Sequence, residues 1–526
     1  MAIPDQLDIT ATLDDSRGDG LVERVDLYRV AAVRALDPER RAEMGQFLTP
    51  PPIARFMASL FNDSGSVIRL LDAGAGVGTL TAAFVEDACH RGLKPKAIEC
   101  TAYELDPILA QYLDATFDGC QELCQLHGIE FAGQAQRADF VVEGVESLRG
   151  DLFAPQANRY NRAILNPPYR KIRSDSLYRT FLREIGLETS NLYTGFLAIV
   201  IGLLEPDGEL VAITPRSFCN GPYFGPFRKL LLDSMTLRRI HVFESRDRAF
   251  SDDEVLQENI VFHAIKNGTR GRVTISSTHA LNDDTMTVRD LPYDQVVHPD
   301  DPGLVIHIAA SELDTAVRDR VAAFEHSLDD IGVSVSTGRV VDFRARDSLR
   351  ARPGPGTVPL IYPGHLDKGI VQWPNPAGRK PEALALTPAT SGLVLPSGFY
   401  VLVKRFSAKE EPRRVVAAVF DPRNVPAPSV AFENHLNYYH AGNAGLPANL
   451  ARGLALFLNS TLIDIYFRQF SGHTQVNAAD LRMLRYPSRE ALERLGARRS
   501  APLLSQQEID ALLEEEIRRM INTQSA

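Results

Sequence analysis

The sequence has few cysteines, and none at a spacing that a metal site needs. Its five cysteines are Cys89, Cys100, Cys120, Cys124 and Cys219, and no two of them form a C-x-x-C pair. The number and spacing of the cysteines argue against a secreted fold held by disulfide bonds and against a structural zinc site. We therefore expect a protein of a reducing compartment, with no metal at its functional site.

Long apolar runs and a leader segment are missing as well. No stretch of the sequence approaches the roughly 18 consecutive apolar residues that a membrane-spanning helix needs. The first residues, MAIPDQLDIT, carry neither the basic nor the apolar region of a secretory signal peptide. The sequence thus predicts a cytoplasmic protein with no membrane partner.

The chain also lacks an excess of positive charge. Its 57 lysines and arginines face 67 aspartates and glutamates, which gives a net charge of −10. An acidic total excludes a protein that is basic all over, but it leaves room for a local basic cleft. The length of 526 residues exceeds what one hydrophobic core usually serves, so we expect at least two domains.

What the sequence does have is a regular alternation of apolar runs and helical segments between about residues 66 and 270. Six apolar runs, the first SVIRLLDAG and the last NIVFHAIK, have the composition of strands. This alternation predicts an α/β fold with a doubly wound, mostly parallel sheet. Prolines, glycines and short strand patterns then predict a mixed α+β domain. The expected divisions are a helical segment at 1–48, an α/β domain at 49–290, and a mixed domain with C-terminal helices at 291–526.

Two helix starts carry capping signals. Thr49 precedes three prolines in TPPPIARFM and is the predicted N-cap of a helix. Ser505 begins SQQE, the pattern of a capping box, and predicts the start of the last helix. Each cap would satisfy backbone N–H groups that the first turn of a helix leaves without partners.

A glycine-rich turn directly follows the first predicted strand. In LLDAGAGVGTL, Gly74, Gly76 and Gly78 allow a tight turn and a close approach of the backbone to a ligand. Glu104, at the end of the next strand, can accept both hydroxyl groups of a ribose, and Asp72 can meet a charged end of the ligand. The G-x-G-x-G spacing differs from the G-x-G-x-x-G of dinucleotide sites. These groups favour S-adenosylmethionine over a nicotinamide cofactor; a tight turn without a ligand is the alternative.

The motif Asn166-Pro167-Pro168-Tyr169 ends the next predicted strand, at the edge where open α/β sheets bind ligands. The prolines fix φ and so hold the Asn166 side chain and the Pro167 carbonyl in place. Both are acceptors for the two N–H groups of an exocyclic amine. Holding them would draw that nitrogen toward a tetrahedral geometry able to attack a sulfonium methyl. Tyr169 offers a ring on which an extruded base can stack. A strand that merely turns at Asn-Pro-Pro is the alternative.

These motifs and their order resemble those of the gamma group of DNA adenine-N6 methyltransferases, the Eco57I/TaqI-like enzymes of restriction–modification systems. The resemblance covers most of the chain, whose overall form is similar to enzymes of the PaeR7I/XhoI type. It implies the class I AdoMet-dependent methyltransferase fold, with S-adenosyl-L-methionine as the methyl donor. The implied cofactor-binding residues are Thr49, Asp72, Gly74, Gly76, Glu104, Asp139, Phe140 and Asn166.

The resemblance also implies roles at the target base. Asn166, Pro167 and Tyr169 are the implied catalytic residues. Phe250 is the implied second ring that clamps the flipped base opposite Tyr169, with Phe224 as a rival. The expected reaction is methylation of adenine N6 in a short duplex DNA site. Methylation of cytosine C5 needs a Pro-Cys pair, which the chain lacks, whereas methylation of cytosine N4 stays open.

The C-terminal domain is then expected to recognise the DNA sequence. Its segments VKRF and FRQFSGHTQVN offer side chains for phosphates and base edges, and two basic residues follow NPPY. The candidate DNA-binding residues are Arg170, Lys171, Lys404, Arg405, Arg468, His473, Gln475 and Asn477. A solvated loop and helix face is the alternative interpretation of these segments.

The resemblance implies two partners, double-stranded DNA and a cognate restriction endonuclease encoded as a separate protein. A monomer on DNA can suffice, because it can treat each strand in turn, and the implied location is the bacterial cytoplasm. Two other enzyme classes share the NPPY chemistry, those that methylate an RNA base and those that methylate a protein glutamine amide. A DNA-binding module with a vestigial cofactor fold is the non-enzymatic alternative.

Overall fold

The computed structural model describes most of the chain. The described residues are 20–37, 47–62, 65–149, 160–173, 175–243, 259–278, 286–299, 301, 303–309, 311–375, 378–407, 411–470, 475–498 and 504–524. The chain divides into two compact units, Met1–Cys219 with Tyr223–Ala310, and Asn220–Pro222 with Ser311–Ala526. The first unit extends beyond the expected division at 290/291, because the last strand of its sheet continues to Pro292.

Nine strands among the described residues form the sheet of the first unit. They are β1 (Val67–Ala73), β2 (Ala97–Tyr103), β3 (Glu130–Gln136), β4 (Tyr160–Leu165), β5 (Leu204–Pro215), β6 (Met235–Phe243), β7 (Asn259–Lys266), β8 (Arg272–Thr278) and β9 (Thr287–Pro292). Their order is β3-β2-β1-β4-β5-β7-β6-β8-β9. The strands from β3 to β5 pair in parallel, and β7 is antiparallel to both neighbours. The predicted α/β fold with a doubly wound, mostly parallel sheet is confirmed.

The described helices of the first unit are α1 (Leu21–Ala35), α2 (Pro51–Ala58), α3 (Thr79–His90), α4 (Pro107–Leu126), α5 (Phe140–Arg149), α6 (Leu177–Glu184), α7 (Leu192–Leu203), α8 (Gly225–Ser234) and the short α9 (Tyr293–Val296). Helices α3 to α7 connect the parallel strands from β1 to β5. The start of α4 shows how the sequence sets these bounds. Asp106 accepts hydrogen bonds from the backbone N–H groups of Ile108 and Leu109, and Pro107 occupies the first turn, where no N–H is needed.

The core of the first unit lies on both faces of its sheet. Along β4, Ala163 and Leu165 belong to one buried apolar cluster and Ile164 belongs to another. Successive side chains of a strand point to opposite faces, so this alternation shows that both faces of the central strand are covered. Val22 and Val25 of α1 join the second cluster. The N-terminal helix, expected as a separate segment, therefore packs on the first unit.

The second unit combines two small sheets with helices. Its strands are β10 (Ser334–Thr337), β11 (Leu349–Arg350), β12 (Thr357–Ile361), β13 (Leu366–Asp367), β14 (Ile370–Val371), β15 (Ala383–Ala385), β16 (Val394–Pro396), β17 (Tyr400–Lys404), β18 (Ala417–Phe420), β19 (Ser429–Phe432) and β20 (Leu436–His440). Its helices are α10 (Glu312–Ala322), α11 (Ala448–Leu458), α12 (Thr461–Phe470), α13 (Ala478–Met483), α14 (Arg489–Ala497) and α15 (Gln506–Gln524). The predicted mixed α+β character is thus present.

The two predicted caps have different outcomes. The capping box at Ser505 is confirmed, because its hydroxyl accepts from the Glu508 N–H at 3.3 Å and its own N–H donates to the Glu508 carboxylate at 2.9 Å. The prediction that Thr49 caps α2 is wrong. Pro50 is the N-cap, and no side chain caps this helix. The Thr49 hydroxyl instead contacts the side chain of a distant residue.

One bent pair of helices in the second unit combines length and low polarity. Within the described residues, no single helix is both long and apolar enough to cross a membrane. The pair Ala448–Leu458 and Thr461–Gln469, bent by 57°, meets that test on length and composition when its two parts are counted together.

A buried charge network ties three strands of the first unit together. The Glu209 carboxylate accepts from His263 Nε2 at 2.8 Å and lies 3.1 Å from the Arg162 guanidinium. It also accepts from the backbone N–H of Asn62 at 3.1 Å. Burial alone would raise the pKa of Glu209, but the hydrogen bond from His263 and the charge of Arg162 outweigh it and lower that pKa.

We expect Glu209→Ala to destabilise the protein, because it leaves the buried cation Arg162 without its carboxylate. Removing one partner of a buried ion pair typically costs about 3–5 kcal/mol. Urea unfolding at neutral pH measures the loss. The matched control is Glu122→Ala, whose side chain is 67% exposed in its pair with Arg24, and we expect less than about 1 kcal/mol from it.

An equal loss in both variants would contradict the role given to the network. The effect of Glu209→Ala should also depend on pH. Since the folded pKa of Glu209 is lowered, its carboxylate contributes stability above the ordinary value of 4.5. That contribution is lost as the pH falls through the lowered pKa. The difference in the free energy of unfolding between the wild type and Glu209→Ala should therefore shrink in acid.

Candidate functional site

The site lies where the strand order of the sheet reverses. β1 and β4 are parallel neighbours, with Leu70 opposite Arg162 and Leu71 opposite Ala163. The carboxyl ends of these strands therefore meet at one edge, the usual ligand-binding crevice of an open α/β sheet. The glycine turn leaves β1 at this edge, and Asn166 follows the last residue of β4.

A pocket opens at this edge of the sheet. It is lined by residues from the glycine turn, from the ends of β2 and β4, and from the segments around α5 and α6. The lining includes Phe47, Gly74, Gly76, Glu104, Asp139, Phe140, Asn166, Pro168, Arg170 and Tyr178. Thr49 lines a smaller, adjoining pocket together with Gly74, Gly76 and Asn166. Six of the eight predicted cofactor-binding residues line the larger pocket and a seventh lines the smaller one.

The glycine turn has the backbone that its sequence predicts. Gly74, Gly76 and Gly78 have φ values of +80°, +60° and +87°, a region that other residues rarely adopt. A Cβ atom on Gly76 would lie 2.8 Å from Leu48 Cδ2. Glycine at this position therefore serves both the left-handed turn and the close packing beside the pocket.

Glu104 is a buried carboxylate held by the backbone. Its Oε2 accepts from the Gly76 N–H at 2.8 Å, and its Oε1 accepts from the Asp106 N–H at 2.7 Å. The residue is 6% exposed, and burial raises the pKa of its carboxyl. Each oxygen accepts one backbone hydrogen bond and keeps capacity for another. The arrangement is thus suited to accept two hydroxyl groups of a ligand in the pocket.

Asp72 lies beneath the turn rather than in the pocket lining. Its Oδ2 accepts from the Thr81 hydroxyl at 2.7 Å, and its Oδ1 has no hydrogen-bond partner among the described residues. Burial raises the pKa of Asp72 to about 7, and the nearby charge of Glu104 adds to the effect.

Asn166 is held in one orientation by the segment before α2. Its Nδ2 donates to the Phe47 carbonyl at 2.8 Å and to the Thr49 hydroxyl at 3.1 Å. Both hydrogens of the amide are therefore used within the protein. Its Oδ1 is buried and has no partner among the described residues. A buried acceptor without a partner is costly, so this oxygen is the group of the site most in need of a donor.

Tyr169 is fixed by its hydroxyl and by two rings. The hydroxyl donates to the Ile213 carbonyl at 3.2 Å, and burial raises the pKa of the phenol well above its ordinary value. The Phe47 ring lies 5.5 Å away at 36°, and the Tyr193 ring lies 6.3 Å away, edge to face. Phe224, the rival for the second clamp, packs 5.8 Å from Tyr193 and is one ring further from Tyr169.

The next wall of the pocket is formed by Asp139 and its neighbours. Asp139 Oδ1 accepts from the first N–H groups of α5, and Oδ2 accepts from the Tyr178 hydroxyl. Burial and this hydrogen bond raise the pKa of Tyr178 to about 12. The Arg170 guanidinium lies 5.6 Å from the centre of the Tyr178 ring. Phe140 is 3% exposed and packs between Tyr103 and Phe196.

Sequence reasoning missed two residues of this site, Phe47 and Tyr178. Phe47 supplies both a carbonyl for Asn166 and a ring beside Tyr169. Tyr178 joins Asp139 to the segment after NPPY. Neither belongs to a motif, although Ser176, whose hydroxyl accepts from the Tyr178 N–H at 3.3 Å as the N-cap of α6, signals a helix at this point.

The predicted DNA-binding residues occupy different environments. Arg468 pairs with Asp464 at 2.8 Å and donates to the Glu411 carbonyl, and Asn477 binds Asp480 at the start of α13. Arg405 donates to the Gln475 amide oxygen at 3.4 Å. Lys171 is exposed and Lys404 is half-buried. Two further predicted residues, Phe250 and His473, lie outside the described residues, so their roles stay predictions. The part of the chain that is described contains no cluster of metal-ligating side chains.

Comparisons with known proteins match this architecture. The family model described as "Eco57I restriction-modification methylase" matches residues 130–250. The Type II methyltransferase M.PstI of Providencia stuartii is 44% identical over 501 residues, 94% of this chain and 97% of that protein. The Type II methyltransferase M.BsuBI of Bacillus subtilis is 41% identical over 502 residues, 94% of this chain and 98% of that protein.

A solved structure is similar in fold. The Type IIL restriction-modification enzyme MmeI, in complex with DNA, aligns with 94% of this chain and 72% of its own, with a TM-score of 0.51 and 12% identity. The sheet has the class I AdoMet-dependent methyltransferase fold. Two relatives above 40% identity, each matched over nearly its whole length, show the family. This chain belongs to the Type II DNA methyltransferases of restriction–modification systems.

Proposed function

We propose that the protein transfers a methyl group from S-adenosylmethionine to the N6 amino group of adenine in a short duplex DNA site. The modification protects that site from a cognate restriction endonuclease encoded separately. The observation that carries the proposal is the Asn166 side chain, whose nitrogen is bound by Phe47 and Thr49 and whose buried oxygen is left as an acceptor at the pocket.

The hydrogen-bonding and apolar groups of the pocket match those that S-adenosylmethionine presents. Glu104 offers two carboxylate oxygens for the ribose hydroxyls, and the positive-φ glycines bring the backbone close to the ligand. Asp139 offers carboxylate oxygens for the amino group of the adenine, and Phe140 offers an apolar ring beside it. When bound, the cofactor supplies a methyl group made electrophilic by its sulfonium.

The chain supports the methyl transfer by orienting the acceptor amine. Asn166 Oδ1 and the Pro167 carbonyl each accept one N–H of the adenine N6 group, which draws its lone pair out of conjugation with the ring. The new N–C bond forms as the C–S bond breaks, and S-adenosylhomocysteine is released. The methylated amine then loses one proton to water, because an asparagine amide accepts hydrogen bonds but is not a base at neutral pH.

Base flipping completes the proposal. The N6 group of a stacked adenine cannot reach a pocket at the end of β4, so the nucleotide has to leave the duplex. Tyr169 is the proposed stacking platform, because its anchored hydroxyl holds the ring in one orientation beside Asn166. Phe250 is proposed as the second clamp from its motif alone. Arg170 and Lys171 are proposed to hold the backbone of the flipped nucleotide.

The relatives favour DNA over the other substrates that share this chemistry. M.PstI and M.BsuBI are Type II methyltransferases, and MmeI was solved in complex with DNA. Methylation of an RNA base or of a protein glutamine would use the same Asn166 geometry. Cytosine N4 also presents an exocyclic amine. These substrates are therefore outcomes that the test has to distinguish.

Single-molecule sequencing of DNA from a methylation-deficient bacterial host tests the proposal. We expect N6-methyladenine in one short sequence motif when the wild type is expressed, and none with Asn166→Ala. Loss of a preorganised hydrogen-bond acceptor of this kind typically lowers turnover by roughly 10²- to 10³-fold. N4-methylcytosine, modified RNA or modified protein in place of N6-methyladenine would contradict the proposal, as would a fully active Asn166→Ala variant.

Glu104→Gln is expected to weaken binding of S-adenosylmethionine by about 10- to 100-fold, the effect of losing a hydrogen bond to a charged acceptor. Isothermal calorimetry measures the dissociation constant, and Glu122→Gln on the exposed face of α4 is the control. Because burial raises the pKa of Glu104, the affinity of the wild type should fall as the pH drops through that pKa. Equal affinities in both variants would refute the ribose assignment.

Thr49→Val is expected to lower kcat by about tenfold, the effect of one neutral hydrogen bond. Valine keeps the shape of threonine but cannot accept from Asn166 Nδ2, so the amide loses one of its two fixed contacts. Thr49→Ser keeps the hydroxyl and should restore kcat. An unchanged kcat in Thr49→Val together with a lowered kcat in Thr49→Ser would mean that the methyl group of Thr49, and not its hydroxyl, supports the reaction.

A further inference from the structure

Two phenylalanines of the second unit are open to solvent. Among the described residues, Phe343 and Phe406 are the exposed phenylalanines, at 73% and 45%. Each carries a neighbouring guanidinium over its ring, with Arg344 Cζ 5.5 Å and Arg405 Cζ 6.0 Å from the ring centres. The same pairing of an exposed ring with a cation thus occurs twice, in parts of the sequence about 60 residues apart.

Both pairs flank one turn, residues 433–435 between β19 and β20. On one side, the Asn434 N–H donates to the Val340 carbonyl at 2.8 Å, three residues before Phe343. On the other side, the Arg405 N–H donates to the His435 carbonyl at 2.9 Å. The Arg405 guanidinium also donates to the Asn434 carbonyl at 3.3 Å. The fold therefore places Arg405 against one side of this turn, and the segment that leads from Val340 to Phe343 against the other.

The tip of this turn adds a third ring. The His435 imidazole lies 4.9 Å from the Phe406 ring, and its side chain is 47% exposed. Its Nδ1 binds the buried Glu433 carboxylate at 2.5 Å. The buried Glu433 carboxylate thus fixes the imidazole at Nδ1, while about half of the His435 side chain stays exposed to solvent.

Gln475 completes the surface with amide groups. Arg405 Nη2 donates to Gln475 Oε1 at 3.4 Å, and Phe406 forms an isolated bridge with the Gln475 backbone. With the amide oxygen held by Arg405, the amide nitrogen is the group left to meet a ligand. The buried Arg405 Nε has no partner among the described residues. Arginine and glutamine are the side chains that pair with guanine and adenine edges in the major groove.

The fixed charges of this surface are positive. They are the guanidinium groups of Arg344, which is exposed, and of Arg405, which is half-buried, whereas Glu433 is buried. The neighbouring Asp342 is bound by the Tyr362 hydroxyl and the Lys380 ammonium, each at 2.8 Å. In a chain of net charge −10, a local surface of cations and open rings is complementary to a polyanion with stacked bases.

We infer that this surface, which we call the turn surface (Phe343, Arg344, Arg405, Phe406, His435 and Gln475), contacts base edges of duplex DNA and contributes to recognition of the methylated site. The inference rests on the proposed function and deepens it. The rings meet apolar base edges such as thymine methyls or wedge at a base step, and Arg405 with Gln475 reads donors and acceptors in the groove. Arg468 and Asn477, whose side chains bind the carboxylates of Asp464 and Asp480, are not part of this surface.

The test uses the full-length protein with S-adenosylhomocysteine. The probes are a short duplex that carries the site found by sequencing wild-type-modified DNA, and a duplex of the same composition with that site scrambled. The variants are Phe343→Ala and Phe406→Ala. The control is Leu313→Ala, which removes a 60% exposed apolar side chain from the same unit. All three positions are exposed, so the fold should tolerate the changes.

Phe343→Ala and Phe406→Ala are expected to weaken binding of the site duplex by about 5- to 100-fold, the range for losing one base–aromatic contact. Binding of the scrambled duplex and of S-adenosylhomocysteine should change much less, and Leu313→Ala should bind like the wild type. Gln475→Ala should relax the sequence preference when modified sites are sequenced again.

The outcomes separate this inference from the proposed function. If the wild type modifies a DNA site but both phenylalanine variants bind and modify it like the wild type, the turn surface does not contact DNA and the inference is wrong. If these variants instead change the oligomeric state seen by light scattering while DNA binding is kept, the surface is a protein contact. If the wild type modifies no DNA, the proposed function fails and this inference fails with it.

Discussion

The site depends on how one amide is held. Asn166 donates both of its N–H groups to the segment before α2, through the Phe47 carbonyl and the Thr49 hydroxyl. An asparagine amide can otherwise rotate and present either its nitrogen or its oxygen to a ligand. Because the protein occupies the nitrogen, only the oxygen remains, and it is buried without a partner. The chemistry that the site can support follows from this constraint.

The fold supplies that constraint by bringing distant segments to one edge of the sheet. The reversal of strand order between β1 and β4 places the glycine turn next to Asn166, and β2 brings Glu104 to the same edge. Each element has one task. The turn allows close approach of a ligand, Glu104 offers acceptors, and Asn166 is proposed to orient an amine. The adjoining Tyr178 ties Asp139 to the segment after the motif, so the two sides of the pocket are mechanically linked.

Local patterns in the sequence predict six of the nine described strands of the first sheet, the glycine turn and the NPPY motif, because each depends on neighbouring residues. The contact between Thr49 and Asn166 joins positions 117 residues apart, and no periodicity encodes such a contact. The local pattern at Thr49 gives a wrong prediction, because a threonine before three prolines is typical of a helix N-cap, whereas Pro50 is the N-cap. β3 was missed because it is an edge strand, EFAGQAQ, with little apolar content. In the second unit, the sequence does not show which basic residues have a carboxylate partner: Arg468 pairs with Asp464, whereas Arg405 donates to the Asn434 carbonyl and the Gln475 amide oxygen.

The most direct test of the account is a crystal structure with S-adenosylhomocysteine and a duplex that carries the target site. The account predicts a flipped adenine whose N6 lies within hydrogen-bonding distance of Asn166 Oδ1, about 2.7–3.2 Å, while Asn166 Nδ2 keeps its contact with the Phe47 carbonyl. A target base that meets Nδ2 instead, or a base whose amino group lies outside hydrogen-bonding reach of Asn166, would contradict it.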